Sequence, residues 1–233
     1  MSLAPYESLN LGDHVADAAD AVATNRRRFA AALDARPVFL EQVHGWQVAT
    51  LDADTPDGTR ADACVCTDRG VACTIMVADC LPVLFTDLQG RAVAAAHAGW
   101  RGLAGQEGAG VIEAAFGALQ SALGPRGDSA AAPVMAWLGP CIGPDAFEVG
   151  PEVRVAFCEG DGAAHAVFRP HAQGKWLADL AGLARRRLLA LGVERIYGND
   201  STVEWCTVSN PSRFFSHRRD RVSGRFAASI WLA

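Results

Sequence analysis

The sequence lacks a surplus of positive charge. It contains 21 lysine and arginine residues against 26 aspartate and glutamate residues, which gives a formal net charge of -5. Proteins that bind nucleic acid normally present a concentrated basic surface. We therefore expect no nucleic-acid partner and look instead for a small-molecule substrate.

The sequence also lacks the signals of export and of membrane insertion. No apolar run approaches the roughly 20 residues that a membrane-spanning helix requires, and the N-terminal residues do not combine a basic segment with an apolar core. Its 7 cysteines are scattered and odd in number, unlike the dense, even disulfide framework of small secreted proteins. We expect a cytoplasmic protein without a membrane partner.

Low-complexity linkers and internal repeats are lacking as well. The chain has 233 residues, of which 50% are hydrophobic, so it can bury a large core. We predict a single domain over residues 1–233, with a short surface loop at 128–132. The sequence leaves the oligomeric state open.

What the sequence does contain is an alternation of helical and extended patterns. Apolar periodicity and capping signals predict helices over 16–34, from 109 to a stop at Gly124-Pro125, from about 151, and over 176–191. Short runs rich in valine, isoleucine and leucine predict strands at 38–40, 71–76, 81–86, 92–96, 133–138, 194–197 and 226–232. Residues 87–90 form the turn of a hairpin between the strands at 81–86 and 92–96. The mixture of hairpins and crossovers favours an α+β fold with mixed sheets covered by helices.

Three residues that can bind a soft metal ion stand at comparable places in the chain. His97 follows an apolar run and precedes glycine and tryptophan, His44 also precedes glycine and tryptophan, and Cys80 lies between apolar segments. An antiparallel hairpin would bring Cys80 and His97 side by side. A thiolate and two imidazoles are a donor set that zinc favours, and three protein ligands leave a fourth tetrahedral position open. Taken singly, a histidine at the end of a strand is more often a hydrogen-bonded structural residue than a metal ligand, and a free cysteine is usually a small buried hydrophobe.

Five motifs occur in an order that resembles the YfiH/YlmD family, also called the laccase-like polyphenol oxidase, peptidoglycan editing factor or purine nucleoside phosphorylase family. They are Gln42-Val43-His44-Gly45, Ala78-Asp79-Cys80-Leu81-Pro82-Val83, His97-Ala98-Gly99-Trp100-Arg101-Gly102-Leu103, Gly139-Pro140-Cys141-Ile142-Gly143 and Arg213-Phe214-Phe215-Ser216-His217-Arg218-Arg219-Asp220. The resemblance implies a four-layer α/β/β/α sandwich with a zinc pocket, in which His44, Cys80 and His97 are catalytic ligands. It also implies phosphorolysis of adenosine, inosine, guanosine and methylthioadenosine, and deamination of adenosine.

Four further residues are candidates for this chemistry, each with a structural alternative. Arg101 could bind phosphate through its guanidinium fork or pair with an acid in its loop. Asp79 could orient a histidine, move a proton or cap a turn. Trp100 could stack on a purine or serve as packing. Cys141 could be a second nucleophile, but we expect it to be a structural loop residue that lines the pocket.

One feature departs from the family pattern at the N-terminus. Members usually carry a strand and a Thr-Arg-x-Gly-Gly stretch, with its arginine at the pocket, before the match to Ser8-Leu9-Asn10-Leu11-Gly12. Here only residues 1–7 precede that match. We expect either a shortened start or a pocket assembled differently, which bears on how phosphate is bound.

Three other functions remain open at this point. Cys80 could be the nucleophile of an amidase, with His97 as base, that removes wrongly incorporated serine from a cell-wall precursor. Copper oxidation of phenols would suit two histidines and a cysteine, but the sequence has only 6 histidines and clustered coppers need many imidazoles. A non-catalytic binding module fits poorly with an open metal position.

Overall fold

The computed structural model describes residues 1–124 and 132–233 and contains twelve strands in those ranges. The surface loop predicted at 128–132 lies outside the described residues except for Ala132, as does Pro125 of the predicted helix stop. The strands are β1 (Arg36–Phe39), β2 (Val48–Leu51), β3 (Ala63–Cys66), β4 (Val71–Val77), β5 (Leu81–Asp87), β6 (Val93–Ala98), β7 (Val134–Leu138), β8 (Glu148–Val149), β9 (Phe168–Pro170), β10 (Trp176–Ala178), β11 (Arg195–Gly198) and β12 (Phe226–Ile230).

Helices connect or cover these strands. The α-helices are α1 (Ala19–Leu33), α2 (Trp100–Ala104), α3 (Val111–Leu123), α4 (Pro151–Cys158), α5 (Leu180–Ala190) and α6 (His217–Asp220), and short 3₁₀ helices span Gly162–Val167, Ala172–Gly174 and Val203–Trp205. No helix in the two described ranges is both long enough and apolar enough to span a bilayer.

The central sheet has six strands in the order β11-β7-β5-β6-β3-β2. Its middle is the antiparallel pair β5 and β6, in which Pro82 lies opposite His97. The buried carboxylate of Asp87 stabilises the turn between them by accepting hydrogen bonds from the backbone N and the Nε of Arg91 at 2.7 and 2.9 Å. The predicted hairpin is confirmed.

A second sheet, in the order β1-β4-β12, packs face to face on the six-stranded sheet. Successive side chains of β4 point to opposite faces of this sheet, so residues of one strand contribute to the packing on both faces. Cys73, Ile75 and Val77 enter the core between the sheets, whereas Met76 packs on the outer side with Phe39 and Phe29 of α1. Helix α1 therefore covers the outer face of the second sheet.

The other face of the six-stranded sheet is covered by α3 and α5. Ile112 and Leu119 of α3 and Leu188 of α5 are fully buried in the same cluster as Phe85 of β5. The order of layers is helix, three-stranded sheet, six-stranded sheet, helices. Both sheets mix parallel and antiparallel pairs, so the predicted α/β/β/α sandwich with mixed sheets is confirmed.

The predicted helix over 176–191 is wrong at its start. Asp179 accepts a hydrogen bond from the backbone N of Gly182 at 2.8 Å, and this side-chain cap fixes the first helical residue at Leu180. The preceding residues, Trp176–Ala178, pair instead with β8 and β9 in a third, three-stranded sheet. That sheet, β2 and β3 were not anticipated, and α1 begins at Ala19 rather than at 16.

Candidate metal centre

His44, Cys80 and His97 converge, although they come from three separate segments. Their ligand atoms all lie within 4.8 Å of one another, and Cys80 Sγ lies 3.7 Å from His44 Nε2. Ideal tetrahedral zinc with ordinary Zn–S and Zn–N bond lengths would separate such atoms by about 3.6 Å. The distance between Cys80 Sγ and His44 Nε2 matches this geometry, and all three donors are close enough to one another to share one ion.

The hairpin explains how Cys80 and His97 come together. Leu81 pairs with Ala98 and Pro82 with His97, so the residue before β5 and the penultimate residue of β6 meet at one end of the sheet. His97 is buried, Cys80 is half-buried and His44 is exposed. The three donors thus run from the core to the opening of a cleft.

Gly99 makes the close packing of this centre possible. A Cβ atom at residue 99 would lie 2.8 Å from His44 Cδ2 and 3.0 Å from Cys80 Sγ, distances that packed side chains do not tolerate. Only glycine allows both ligands to approach the backbone after β6. This accounts for a glycine directly after the His97-Ala98 pair.

Asp62 is the residue that orients His97, and the sequence reasoning missed it. Its Oδ1 lies 2.9 Å from His97 Nδ1, and its backbone carbonyl accepts the N–H of His97 at 2.7 Å. Asp62 is fully buried. The carboxylate holds the Nδ1 side of the ring, so Nε2 is free to face the other two ligands, an arrangement common around metal-bound histidines.

The same carboxylate shapes the loop that carries His44. Asp62 accepts hydrogen bonds from the backbone N of Val43, His44 and Gly45 at 3.1, 2.8 and 2.7 Å. His44 adopts a left-handed φ of 62°, which turns successive N–H groups toward one anion. Gln42 ties the loop to β4 by donating to and accepting from the backbone of Met76 at 2.8 and 2.9 Å.

The electrostatics of the centre favour a thiolate. Burial opposes ionisation of Cys80, but the neighbouring charge of His97 and hydrogen bonds from both histidines outweigh it and lower the pKa of Cys80 to about 6. Burial likewise opposes charging of His97, but the Cys80 thiolate and Asp62 raise the pKa of His97 to about 9. The thiolate is the form that binds metal.

A cavity of about 450 Å³ opens onto the three donors. This volume lies within the roughly 300–1,000 Å³ of typical small-molecule pockets. Its lining divides into an apolar part and a basic part. The apolar part includes Met76, Val77, Trp100, Ile142, Phe147 and Leu180, and the basic part comprises His14, His217, Arg218, Arg221 and Arg225.

Asp79 lines the pocket, but its carboxylate contacts neither histidine of the centre. Its Oδ1 accepts from the hydroxyl of Thr207 at 2.5 Å, and its Oδ2 accepts from the backbone N of Arg218 at 2.6 Å. Arg218 lies in the first turn of α6. Asp79 therefore caps a helix and fastens the C-terminal segment to the centre, which is the structural alternative considered for it.

The remaining candidates lie in different surroundings. Trp100 is half-buried and lines the pocket. Arg101 is exposed and stacks on the Trp100 ring at 4.5 Å, and it is not part of the pocket lining.

Cys141 is buried and does not line the pocket either, which corrects that expectation. Its Sγ accepts a hydrogen bond from Asn199 Nδ2 at 3.3 Å, and its backbone bridges to Cys206. The next residue, Ile142, provides the pocket contact from this loop.

Comparisons with known proteins decide the family. Residues 1–233 match the family described as multi-copper polyphenol oxidoreductase laccase. Purine nucleoside phosphorylases of Pseudomonas aeruginosa and of Escherichia coli K12, the latter named YfiH, are 50% and 49% identical over the whole chain and 89% of their own lengths.

The chain belongs to the laccase-like YfiH/YlmD family. Solved structures agree with this assignment. A Neisseria meningitidis protein superposes with a TM-score of 0.89 at 43% identity, covering 100% of this chain and 89% of that one. YlmD from Geobacillus stearothermophilus superposes with a TM-score of 0.82 at 30% identity, covering 99% of this chain and 87% of its own. The names of the YfiH/YlmD relatives support an enzymatic function.

Proposed function

We propose that this chain is a zinc-dependent purine nucleoside enzyme. It would phosphorolyse adenosine, inosine, guanosine and methylthioadenosine and deaminate adenosine. The observation that carries the proposal is the cluster of His44, Cys80 and His97 donors, which lie within 4.8 Å of one another and line a cavity. The names of the relatives, purine nucleoside phosphorylase, point to the substrate class.

The donor set supports zinc as the resident metal. One thiolate and two imidazoles combine a soft ligand with two borderline ligands, and Asp62 supplies the carboxylate partner that zinc-bound histidines usually have. Three ligands leave one position accessible from the cavity. Zinc bound there would act as a Lewis acid and lower the pKa of a water molecule that contacts it.

The cavity walls suit a nucleoside. Trp100, Ile142 and Phe147 offer flat and apolar surfaces against which a purine can pack. In phosphorolysis the bond between ribose C1′ and base N9 breaks with its electron pair on N9, which takes up a proton. A phosphate oxygen bonds to C1′ and gives ribose 1-phosphate and the free base.

Deamination would use the same cavity. Water would add across N1 and C6 of adenosine, the amino group would leave as ammonia with the hydroxyl proton of the added water, and inosine would remain. His44 and His97 both lie next to the thiolate of Cys80. The three side chains therefore form one rigid wall of the cavity, against which the purine base would lie. Phosphorolysis and deamination differ in which carbon of the nucleoside faces the centre.

An amidase is the second candidate, and one observation favours it. The lowered pKa of Cys80 and the raised pKa of His97 describe a thiolate and an imidazolium, as in cysteine hydrolases. Such an enzyme would release wrongly incorporated serine from peptidoglycan precursors. It requires a free Cys80 thiolate, so a metal held through that sulfur counts against it.

Copper oxidation of phenols has weaker support. In the described residues, a single cluster of His, Cys, Asp or Glu side chains has metal-binding geometry. A laccase needs several clustered coppers with many imidazole ligands. Cu²⁺ could occupy the present donors, but one ion does not supply multi-copper chemistry.

We further propose small-molecule partners, a purine nucleoside and phosphate, and a cytoplasmic location. All seven cysteines are free thiols in the structure, which suits a reducing compartment.

The test is metal analysis of the purified chain combined with phosphate-dependent release of base from inosine and adenosine. We expect one zinc per chain and base release that requires both zinc and phosphate. Cys80→Ala should lose metal and turnover together, whereas Cys158→Ala, on α4 outside the cavity, should keep both. Zinc retained at full stoichiometry in Cys80→Ala would contradict the ligand assignment. Serine release from cell-wall precursors without any phosphorolysis would favour the amidase.

A further inference from the structure

Three arginines line the cavity that contains the metal donors. They are Arg218 and Arg221, at the start and just after the end of α6, and Arg225, directly before β12. None of them belonged to the candidate site residues predicted from the sequence, although Arg218 stands within one of the family motifs. Arg101, the predicted phosphate ligand, lies outside this cavity.

These arginines have no acidic partner among the residues that the structure describes. No ion pair within 4.0 Å found there includes Arg218, Arg221 or Arg225. Arg218 and Arg225 are half-buried and Arg221 is exposed, and a partly desolvated cation is stabilised when an anion binds beside it. The cavity therefore presents positive charge that a bound anion would compensate.

Hydrogen bonds to neutral backbone carbonyls occupy only part of the donor capacity of these guanidinium groups. Arg218 Nη1 donates to the carbonyls of Ala146 and Glu148 at 3.1 Å each. Arg225 Nη1 donates to the carbonyls of Ser223 and Gly224 at 3.0 Å each. Within the described residues, Arg225 Nε and Nη2 and the whole guanidinium of Arg221 make no hydrogen bond to protein, so at least two forks remain for a ligand.

Acidic groups in the cavity do not cancel this charge. The carboxylate of Asp79 already accepts hydrogen bonds from Thr207 and from the backbone of Arg218. The Cys80 thiolate would share its charge with the divalent ion. Against these stand three guanidinium groups, which remain protonated at any physiological pH.

Arg225 is held firmly in position. Its backbone N donates to Asn10 Oδ1 at 2.8 Å, and its carbonyl accepts from the backbone N of Leu11 at 2.9 Å. A Cβ on Gly12 would lie 2.8 Å from Arg225 Cγ, so the side chain lies tightly against that glycine. Burial lowers the pKa of Arg225, and the charges of Cys80 and Asp79 oppose this shift, which links the arginine to the metal centre.

We propose that Arg225 and Arg221, supported by Arg218, form an oxyanion subsite that binds the phosphate co-substrate beside the metal centre. The inference rests on the proposed function, because phosphorolysis needs phosphate next to ribose C1′. A guanidinium presents two parallel N–H groups to two of the four phosphate oxygens, which orients the other two, and one of these can attack ribose C1′. The subsite belongs to the C-terminal segment, whereas Arg101 takes no part in it.

The experiment is calorimetric titration of the zinc-loaded full chain with inorganic phosphate, followed by phosphorolysis kinetics. Arg225→Gln and Arg221→Gln should weaken phosphate binding and raise the KM for phosphate by about 10- to 100-fold, with the KM for the nucleoside unchanged. Arg225→Lys keeps the charge but loses the guanidinium fork. Its phosphate affinity and its KM for phosphate should lie between those of the two glutamine variants and those of the wild type. Arg27→Gln, on the exposed side of α1, is the matched control and should leave both values unchanged.

Arg221→Gln protects the test against misfolding, because the Arg221 side chain makes no hydrogen bond to the described protein. Unchanged phosphate binding in Arg221→Gln and Arg225→Gln, weakened binding in Arg101→Gln alone, or no phosphate binding by the wild type would overturn the subsite. Phosphate bound through Arg225 without cleavage of any nucleoside would support the subsite and overturn the proposed function. Phosphate-dependent cleavage of a nucleoside with an unchanged KM for phosphate in Arg221→Gln and Arg225→Gln would support the proposed function and overturn the subsite.

Discussion

His97 Nδ1 lies 2.9 Å from Asp62 Oδ1, and the same carboxylate accepts the backbone N–H of His44 at 2.8 Å. One buried anion thus positions two of the three candidate metal ligands. Burial alone would raise the pKa of Asp62, but hydrogen bonds from His97 and from the loop amides lower it. The carboxylate is therefore ionised at neutral pH and acts on the centre through His97.

Asp62→Asn should reduce zinc affinity by about 10- to 100-fold, as loss of such supporting contacts usually does. Asparagine can still accept one loop amide, but it cannot hold the His97 ring as the carboxylate does. Competition with a chelator measures the affinity, and Asp54→Asn in the exposed loop after β2 serves as control. Wild-type zinc affinity in Asp62→Asn would show that His97 is oriented by the packing around it alone.

Gly99→Ala should disrupt the metal centre because the added methyl group would press on His44 Cδ2 and Cys80 Sγ. We expect substoichiometric zinc in the purified variant, measured by metal analysis. Gly117→Ala is the matched control, since a Cβ there meets nothing within 4 Å on an exposed position of α3. Alanine at that position should stabilise the helix by about 0.5–1 kcal/mol. Full zinc content in Gly99→Ala would mean that the backbone after β6 yields more easily than its packing implies.

Asp79→Asn should separate a structural role from a catalytic one. The variant weakens the hydrogen bonds from Thr207 and from the backbone of Arg218, so we expect a loss of about 1–3 kcal/mol in the free energy of unfolding. Zinc stoichiometry should remain at the wild-type value. Denaturant unfolding and metal analysis of the same preparation give both quantities. A reduced zinc stoichiometry with an unchanged free energy of unfolding would show that Asp79 acts on the metal centre.

Much of this arrangement follows from local sequence rules. Apolar runs separated by Asp-Leu-Gln-Gly predict the hairpin of β5 and β6, and the hairpin register alone explains why Cys80 and His97 adjoin. The segment around Asp179 shows the limit of apolar periodicity as a predictor. The apolar pattern continues through Trp176–Ala178 into α5, but the Asp179 side chain caps the helix, so the residues before it are extended. A single capping residue therefore separates β10 from α5.

The partners of the site could not be read from local patterns. Asp62 stands before an unpredicted strand, and its link to His97 requires the antiparallel pairing of β3 and β6. Arg221 and Arg225 reach the cavity only because the C-terminal segment folds back over Asn10 and Gly12. An aspartate directly before the apolar Ala63–Cys66 run was the available signal for Asp62, whereas the two arginines had none.

The buried turn carboxylate of Asp87 predicts a specific pH dependence of stability. Hydrogen bonds and the charge of Arg91 outweigh burial and lower the pKa of Asp87 below its ordinary value of 3.8. A lowered folded-state pKa means that the stabilisation is complete above the unfolded-state pKa and is lost as the pH falls through the folded-state pKa. Asp87→Asn should therefore be less stable than the wild type at pH 7 by about 1–3 kcal/mol.

This difference should shrink as the pH falls below 3.8, and urea unfolding of both proteins across this range measures it. Asp54→Asn is the control, because Asp54 is an exposed loop aspartate whose carboxylate accepts no hydrogen bond from the described part of the protein. A difference that stays constant with pH would assign the effect of Asp87→Asn to packing rather than to charge.

The central claim is that one thiolate and two imidazoles hold a single zinc ion with an open position. X-ray absorption at the zinc edge of the purified chain tests it most directly. We predict one sulfur neighbour at about 2.3 Å and two imidazole nitrogens at about 2.0–2.1 Å, with one further light atom completing the shell. The sulfur contribution should disappear in Cys80→Ser. A zinc shell without sulfur in the wild type, or one with several sulfurs, would contradict the account.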